Sequence, residues 1–210
     1  MKKVFLVAAV AVFGVSTTFA QADFRMGAKA GVNFAKLTGD DVEDADGRTG
    51  FHVGGLVEIP VTEKFSIQPE VLYSQQGLQR KDEFAGTTVE SKLILDYINI
   101  PVMAKFYVTD EFSLEGGPQF GFRAKSEFET NIDEDGNEGE TTIDLKDDFS
   151  SFDLGAGIGA AYRLPMGVFF QARYVLGLSN VNDAGNDSED GIFEDDLTNS
   201  VLSLSVGYKF

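Results

Sequence analysis

The chain has 210 residues and a net charge of −17, and it contains neither cysteine nor tryptophan. This length suggests one domain, or two small ones. Without cysteine there can be no disulfide framework, no thiolate nucleophile and no lipid-modified cysteine. The single histidine, His52, excludes a histidine-rich metal site, and the negative charge disfavours nucleic acid, whose phosphates are bound by lysine and arginine.

Residues 1–20 are expected to form a secretory signal peptide. Lys2 and Lys3 give a positive start, residues 4–15 are apolar, and Thr18 and Ala20 place small side chains just before the expected cleavage point. The apolar run is shorter than the roughly 20 residues that a membrane-spanning helix needs. We therefore expect residues 21–210 to form one exported domain, which would have to cross any membrane as strands.

Apolar and polar residues alternate in eight stretches of the remaining chain, and period two is the signature of a β-strand. The last stretch shows it clearly, with Leu202, Leu204 and Val206 on one face and Ser203 and Ser205 on the other. Prolines inside two of the stretches predict local bulges or irregularities. The prolines are Pro101 and Pro118, and the strands are predicted at about 23–35, 49–59, 65–79, 93–107, 112–127, 150–164, 168–181 and 199–210.

The predicted connections alternate in length. Those after the second, fourth and sixth strands are short, at 60–64, 108–111 and 165–167, whereas those after the other strands are long. The long ones are 36–48, 80–92, 128–149 and 182–198. Short periplasmic turns and long extracellular loops are typical of outer-membrane barrels. The pattern therefore predicts an all-β fold, an eight-stranded antiparallel transmembrane β-barrel of the outer-membrane type.

The polar face of the strands carries isolated charges of both signs. Each would cost roughly 2–4 kcal/mol against lipid at mid-membrane, but in a lumen they could pair. The alternative is a soluble lipocalin-like barrel with its apolar face inward. Because an eight-stranded barrel is just wide enough to be filled by side chains, we expect a buried lumen network and no water channel. Its expected members are Arg25, Lys29, His52, Glu58, Glu70, Lys105, Glu115, Arg123, Asp153, Arg163 and Arg173.

The chain ends in Tyr208, Lys209 and Phe210, which resembles the C-terminal signal that barrel-insertion machinery reads in outer-membrane barrels. We interpret Tyr208 and Phe210 as that insertion signal. A soluble protein gains little from a terminal strand that ends in bare aromatics, although an edge strand of a soluble sandwich is the alternative. The expected surroundings are outer-membrane lipid and lipopolysaccharide.

Most of the 34 acidic residues fall in the predicted long loops. Asp133, Asp135 and Asn137 have the alternate spacing that opens a calcium loop and are weak metal candidates. However, Glu138 stands where such a loop needs glycine, and Asp144 replaces the terminal glutamate. A solvated loop is the favoured interpretation, and weak cation bridging to lipopolysaccharide is an intermediate one.

Signals for catalysis are absent from the sequence. His52 has no serine two residues away, unlike the His-x-Ser arrangement of lipid A deacylase barrels. No glycine-rich phosphate loop stands between a strand and a helix. We therefore expect no catalytic residues and no cofactor.

Four segments carry a family resemblance: Gly50–Gly55, Gln68–Pro69–Glu70 followed by Tyr73–Gly77, Tyr97–Pro101 and Gly116–Gly121. With the signal peptide and the aromatic end, the chain resembles the PorT-like outer-membrane β-barrel proteins common in Bacteroidetes. The resemblance implies an eight-stranded outer-membrane barrel but no single activity. The founding member is linked to protein secretion and gliding, and no motif carries that role to this chain.

The sequence thus predicts a non-enzymatic, monomeric outer-membrane barrel that displays acidic loops, with a structural or surface-interaction role. A protein partner at the cell surface or in the envelope would be unidentified. The alternatives are a narrow porin-like pore for small solutes and an accessory barrel of a protein-secretion machine.

Overall fold

The structure, a computed structural model, describes residues 24–38, 46–84, 87–134, 137–145, 149–181 and 197–210. The predicted signal peptide lies outside these residues. Within them no helix is long and apolar enough to span a membrane. The described strands are β1 (Arg25–Thr38), β2 (Asp46–Thr62), β3 (Phe65–Phe84), β4 (Thr87–Tyr107), β5 (Phe112–Glu134), β6 (Asn137–Asp144), β7 (Phe152–Arg163), β8 (Val168–Gly177) and β9 (Thr198–Lys209).

The strands form one closed antiparallel sheet. Its order is β4-β3-β2-β1-β9-β8-β7-β5, and a further pairing of β4 with β5 closes the ring. β6 and β7 both pair with β5, β7 along Phe112–Phe122 and β6 along Glu127–Glu134. They therefore occupy the same position in the ring, as one strand that is interrupted between Asp144 and Phe152. The fold is an eight-stranded barrel with one broken strand, which confirms the predicted fold class.

The polar face of the strands lines the inside of the barrel. Lys29, Glu70 and Lys105 are almost completely buried, whereas Met26 and Ile158 on the other face are 64% and 68% exposed. The lipocalin-like alternative, with an apolar interior throughout, is therefore wrong. An apolar outer face around a polar interior is the arrangement that suits a barrel surrounded by lipid.

Aromatic side chains collect near both ends of the apolar outer face. Near one end, the rings of Phe51 and Tyr73 lie 5.9 Å apart, and those of Phe122 and Phe152 lie 5.6 Å apart. The rings of Tyr208 and Phe210, 5.3 Å apart, lie near the other end. Along β4, about nine residues separate these two levels, which is the length that a tilted strand needs to cross a bilayer. The outer face thus has the dimensions of a membrane-spanning band.

The two ends of the barrel differ. Short connections join β2 to β3, β4 to β5 and β7 to β8 at one end, here the turn end. At the opposite, hairpin end, β3, β4 and β5 run well past the aromatic level, and only 85–86 and 135–136 separate the strands there. The prediction of long loops at 80–92 and 128–149 is therefore wrong for most of these residues. Beyond the membrane neither face meets lipid, so polar residues occupy both faces and the alternation that marks a strand disappears.

The two prolines give local irregularities, one of the two predicted outcomes, but no bulges: the β4–β5 ladder skips Val102 and Met103, which lie opposite Pro118 and Gly117. Pro101 pairs with Gln119 and Pro118 with Ala156, and the ladders keep one register on both sides of each. Each proline removes one ladder donor without displacing the neighbouring strand. The register shifts of the sheet lie elsewhere, between Asp96 and Tyr97 on β4 and at two points of β2.

Candidate functional site: the barrel lumen

Arg173 on β8 lies at the centre of the lumen and binds two carboxylates. Its Nη1 and Nη2 donate to the two oxygens of Glu70 at 2.9 and 2.7 Å, and its Nε donates to Glu115 at 2.7 Å. All three side chains are at most 4% exposed. The planar guanidinium fits the bidentate geometry, which is the strongest form of this pair. Three strands distant in sequence are thereby joined across the barrel.

Two lysines extend this central cluster. Lys29 lies 2.7 Å from Glu70 and donates to Gln171 at 2.6 Å, while Lys105 lies 3.7 Å from Glu115. Gln171 in turn donates to Glu115 at 2.8 Å. Each buried charge of this central cluster therefore has a partner of opposite sign, the condition under which buried charges are tolerated.

A second cluster lies toward the turn end around Glu58. Lys209 and Tyr107 both donate to Glu58, and Arg25 lies 3.4 Å from it with a side chain that is 39% exposed. Gln68 connects the two clusters, because it accepts from Lys209 at 2.8 Å and donates to Glu70 at 2.7 Å. Sequence reasoning missed Lys209, Tyr107, Gln68 and Gln171. Lys209 could have been found from its place on the polar face of the last strand.

His52 lies apart from the charges, among hydroxyl and amide groups. Its Nδ1 is 2.8 Å from Asn33 Oδ1, and its Nε2 is 2.8 Å from Ser205 Oγ. Asn33 Oδ1 also accepts from Ser203 at 2.8 Å. The order serine, histidine, asparagine is that of a nucleophilic triad. All three residues are at most 8% exposed, however, so the arrangement is a buried hydrogen-bond chain.

The remaining predicted network residues lie outside both clusters. Arg123 donates to the backbone oxygen of Phe149 near the hairpin end, and Asp153 accepts from Ser179 at 2.9 Å. Arg163 lies at the turn end, where its Nη2 is 3.4 Å from the backbone oxygen of Asp110. The structure thus gathers Lys29, Glu70, Lys105, Glu115 and Arg173 at the centre and Arg25 and Glu58 at the turn end.

Side chains fill the middle of the lumen. Between His52 and Arg173 there is a cavity, and the part of it that the centre of a water molecule can reach has a volume of about 20 Å³. A single water needs roughly 10–15 Å³ by this measure, so the space holds one or two. No ester, sugar or hydrated ion fits there.

An apolar cluster closes the lumen at the hairpin end. Where the broken strand stops after Asp144, Leu145 and Phe149 turn inward and are 4% and 2% exposed. Leu145 is fixed by its backbone, because its N–H donates to Ser126 O at 3.1 Å. We name this the mouth cluster; it consists of Leu37, Leu78, Leu93, Leu95, Tyr97, Leu145, Phe149, Val181 and Leu197, with Phe128 against it.

The weak metal candidates fall at the tip of the β5–β6 hairpin. Asp133 pairs with Glu138 and Asn137 with Glu134 in a regular ladder, and Asp135 lies outside the described residues. Among the described residues no group of three or more histidine or acidic side chains could hold a metal ion. Of the insertion-signal residues, Tyr208 and Phe210 face outward and are 45% and 79% exposed.

One family model and several solved structures are similar to this chain. The family model described as "Outer membrane protein beta-barrel domain" matches residues 19–183. Ail, the attachment invasion locus protein of Yersinia pestis, is 14% identical over 89% of this chain and 98% of its own, with a TM-score of 0.47. Neisserial surface protein A is 14% identical over 88% and 97%, with a TM-score of 0.44. Acinetobacter baumannii CarO is 10% identical over 87% and 97%, with a TM-score of 0.44. No curated protein sequence matches the chain.

Proposed function

The chain belongs to the outer membrane protein beta-barrel domain family, and from that premise we propose that it is a closed, non-enzymatic barrel of the outer membrane with a surface-contact role. The hairpin end would face outside and the turn end the periplasm. Residues 1–20 would direct export and be cleaved, and the aromatic end at Tyr208 and Phe210 would be read during insertion.

The filled lumen is the observation that carries this proposal. The central cluster blocks the middle with ion pairs, and the mouth cluster blocks the hairpin end with apolar side chains. A solute would have to displace both. The same packing argues against catalysis at His52 and Ser205, because a cavity for one or two waters admits no acyl substrate.

The surface-contact part rests on the asymmetry of the hairpin end. β5 continues about 12 residues past Phe122, which at roughly 3.3 Å per residue and a tilt near 40° is about 30 Å beyond the aromatic level. β7 begins at Phe152 and β8 ends at Gly177, close to that level. One side of the barrel therefore stands far above the membrane, where it can meet other molecules.

Within the family, we propose that the chain belongs to the PorT-like group. Its PorT-like segments supply His52, Gln68 and Glu70, and so contribute to the lumen contacts described above. The need to pack the lumen would explain why proteins of the PorT-like group share these segments without sharing an activity.

The surface-contact role can be tested with a variant that lacks residues 131–140, which shortens the β5–β6 hairpin at the Thr130–Thr141 pair and keeps Leu145 in the mouth cluster. The native protein and the variant are extracted from outer membranes in mild detergent, and co-purifying proteins and detergent sensitivity of the cells are compared. We expect the variant to fold, as judged by heat-modifiable gel mobility, and to lose a partner or weaken the envelope. An unchanged partner set and an unchanged envelope would contradict the surface-contact role.

A further inference from the structure

A cavity opens at the turn end of the barrel, next to the cluster around Glu58. The part of it that the centre of a water molecule can reach has a volume of about 430 Å³, and small-molecule sites span roughly 300–1,000 Å³. Its wall comes from the start of β1, the end of β9 and the short turns before β5 and β8. We name it the turn-end cavity; its charged lining consists of Arg25, Asp110, Glu111, Arg163 and Lys209.

The contacts described for the two arginines of this lining are long. Arg25 Nη1 is 3.4 Å from Glu58 Oε1, and Arg163 Nη2 is 3.4 Å from the backbone oxygen of Asp110. Arg173 in the central cluster, by contrast, donates at 2.7–2.9 Å to its two carboxylates. A guanidinium group has five N–H donors in a fork that matches the oxygens of a phosphate or a carboxylate. Arg25 and Arg163 therefore have donors left for an oxyanion.

The charge of the cavity changes from its floor to its rim. At the floor, Glu58 faces two cations, because Lys209 donates to it and Arg25 lies beside it. The side chains of the floor therefore carry an excess of positive charge. At the rim, the turn before β5 carries Glu111 and the exposed Asp110. A ligand with a negative group inside and a positive group outside complements this order.

Exposed apolar side chains place the cavity at the edge of the apolar band. Met166 and Phe210 line it and are 69% and 79% exposed. Phe210 belongs with Tyr208 to the aromatic level near this end, and aromatic side chains of membrane proteins collect at the depth of the lipid headgroups. A phospholipid can therefore reach the cavity from the membrane.

We propose that the turn-end cavity binds a phospholipid with a phosphoethanolamine headgroup. Arg25 and Arg163 would bind the phosphate, and Asp110 and Glu111 would accept hydrogen bonds from the ammonium group. The glycerol and the upper acyl chains would lie against the apolar rim. The surface-contact role concerns the opposite end of the barrel, so this inference adds a second site to it.

The test measures lipid retention by the full chain, folded in a non-ionic detergent, with native mass spectrometry. The protein receives an equimolar mixture of phosphatidylethanolamine, phosphatidylcholine and phosphatidylglycerol with identical acyl chains. Phosphatidylcholine keeps both charges but has no ammonium N–H donor, and phosphatidylglycerol has no cation. Glycerophosphoethanolamine, which has the same headgroup without acyl chains, is tested alone.

We expect phosphatidylethanolamine to be retained about tenfold more tightly than either of the other lipids. Arg25→Gln with Arg163→Gln should weaken its binding about tenfold, because the phosphate loses charge-assisted hydrogen bonds. Asp110→Asn with Glu111→Gln should remove the preference over phosphatidylglycerol, because the ammonium group loses its acceptors.

The matched control is Lys92→Gln with Lys125→Gln, which removes the same charge from partly exposed side chains of β4 and β5 toward the hairpin end. It should bind the lipid as the native protein does. Equal effects of the arginine and lysine variants would overturn the proposal, as would equal retention of the three lipids.

Two further results would overturn it. Glycerophosphoethanolamine bound as tightly as the lipid would assign the cavity to a soluble ester instead of a phospholipid. If the arginine variant does not fold, as judged by heat-modifiable gel mobility, the variant of Asp110 and Glu111 decides alone, and an unchanged lipid preference in it would contradict the proposal.

Discussion

Arg173 holds two carboxylates from two other strands in the middle of the lumen. The ion pairs with Glu70 and Glu115 are short and almost fully buried. A buried pair of this kind contributes little net stability compared with apolar packing, but the loss of one member leaves the others uncompensated. The charges of the lumen are therefore buried as a set in which each member compensates the others.

Replacement of Arg173 by methionine should destabilise the barrel by about 3–5 kcal/mol, because Glu70 and Glu115 lose their shared cation. Urea unfolding of the protein in micelles, followed by circular dichroism, measures the change. Arg25→Met is the matched control: the Arg25 side chain is 39% exposed at the rim, and such pairs contribute only about 0–1 kcal/mol. Equal effects of the two substitutions would contradict the central role of Arg173.

Gly31 keeps the space in which the His52 ring lies. A methyl group at Gly31 would sit 2.7 Å from His52 Cε1 and closer still to the backbone oxygen of Leu204. Gly31→Ala should therefore cost about 1–3 kcal/mol through overpacking. At Gly55 the nearest atom to an added methyl is 3.8 Å away, so Gly55→Ala should change the same unfolding curve little. A tolerated Gly31→Ala would show that His52 is not tightly packed there.

At the scale of residues, the sequence predicted which side chains face the lumen but not which of them contact one another. Alternation placed Glu58, Glu70 and Arg173 on one face, and the structure has them there. The partners depend on register and on shear around the ring, which period two does not determine. The contact of Lys209 with Glu58 depends on the same register, although Lys209 lies on the polar face of the last predicted strand.

The broken strand is the element that closes the hairpin end. β6 and β7 share one place in the ring, and the chain between them sends Leu145 and Phe149 into the lumen. The interruption thus supplies apolar packing where the polar network ends.

Phe149→Ala should destabilise the folded barrel by about 3–5 kcal/mol, the usual cost of removing a buried phenylalanine. Ile143→Ala removes an apolar side chain that is 52% exposed on the neighbouring hairpin, and it should cost less than about 1 kcal/mol. Thermal unfolding followed by gel mobility compares the two. If the Phe149 variant were as stable as the native protein, the mouth cluster would not be a packed core.

At the scale of elements, the sequence predicted the strands inside the membrane well and their ends poorly. Lipid outside and a packed lumen inside enforce alternation between the aromatic levels, so the strand predicted at 93–107 falls within β4. Residues 128–134 and 137–144 pair in a hairpin. Because many of these residues are acidic, the sequence there resembles a solvated loop. The prolines give local irregularities without bulges, because the ladder tolerates a missing donor and keeps its register.

As a whole, the part of the molecule that the structure describes is a plugged barrel in which neighbouring strands extend well beyond one end. The apolar band meets lipid, the two clusters fill the lumen, and β3 to β6 continue beyond one end. In outer-membrane barrels generally, the short turns lie in the periplasm and the longer connections lie outside the cell. We therefore expect the hairpin end of this barrel to lie outside the cell.

The chain has no cysteine, so single cysteines can report this direction. Thr142→Cys on β6 should react with a membrane-impermeant maleimide on intact cells. Glu63→Cys, at the turn end, should react only after the outer membrane is permeabilised. The reverse pattern would contradict the proposed orientation.

The claim that the barrel is closed is tested most directly by single-channel recording of the folded native protein in planar bilayers. Because ion pairs fill the centre and the mouth cluster fills the hairpin end, we predict no defined conductance steps at moderate voltage. A 16-stranded porin recorded under the same conditions provides the positive control. Reproducible steps of one size from the folded barrel would contradict the account and favour a pore for small solutes.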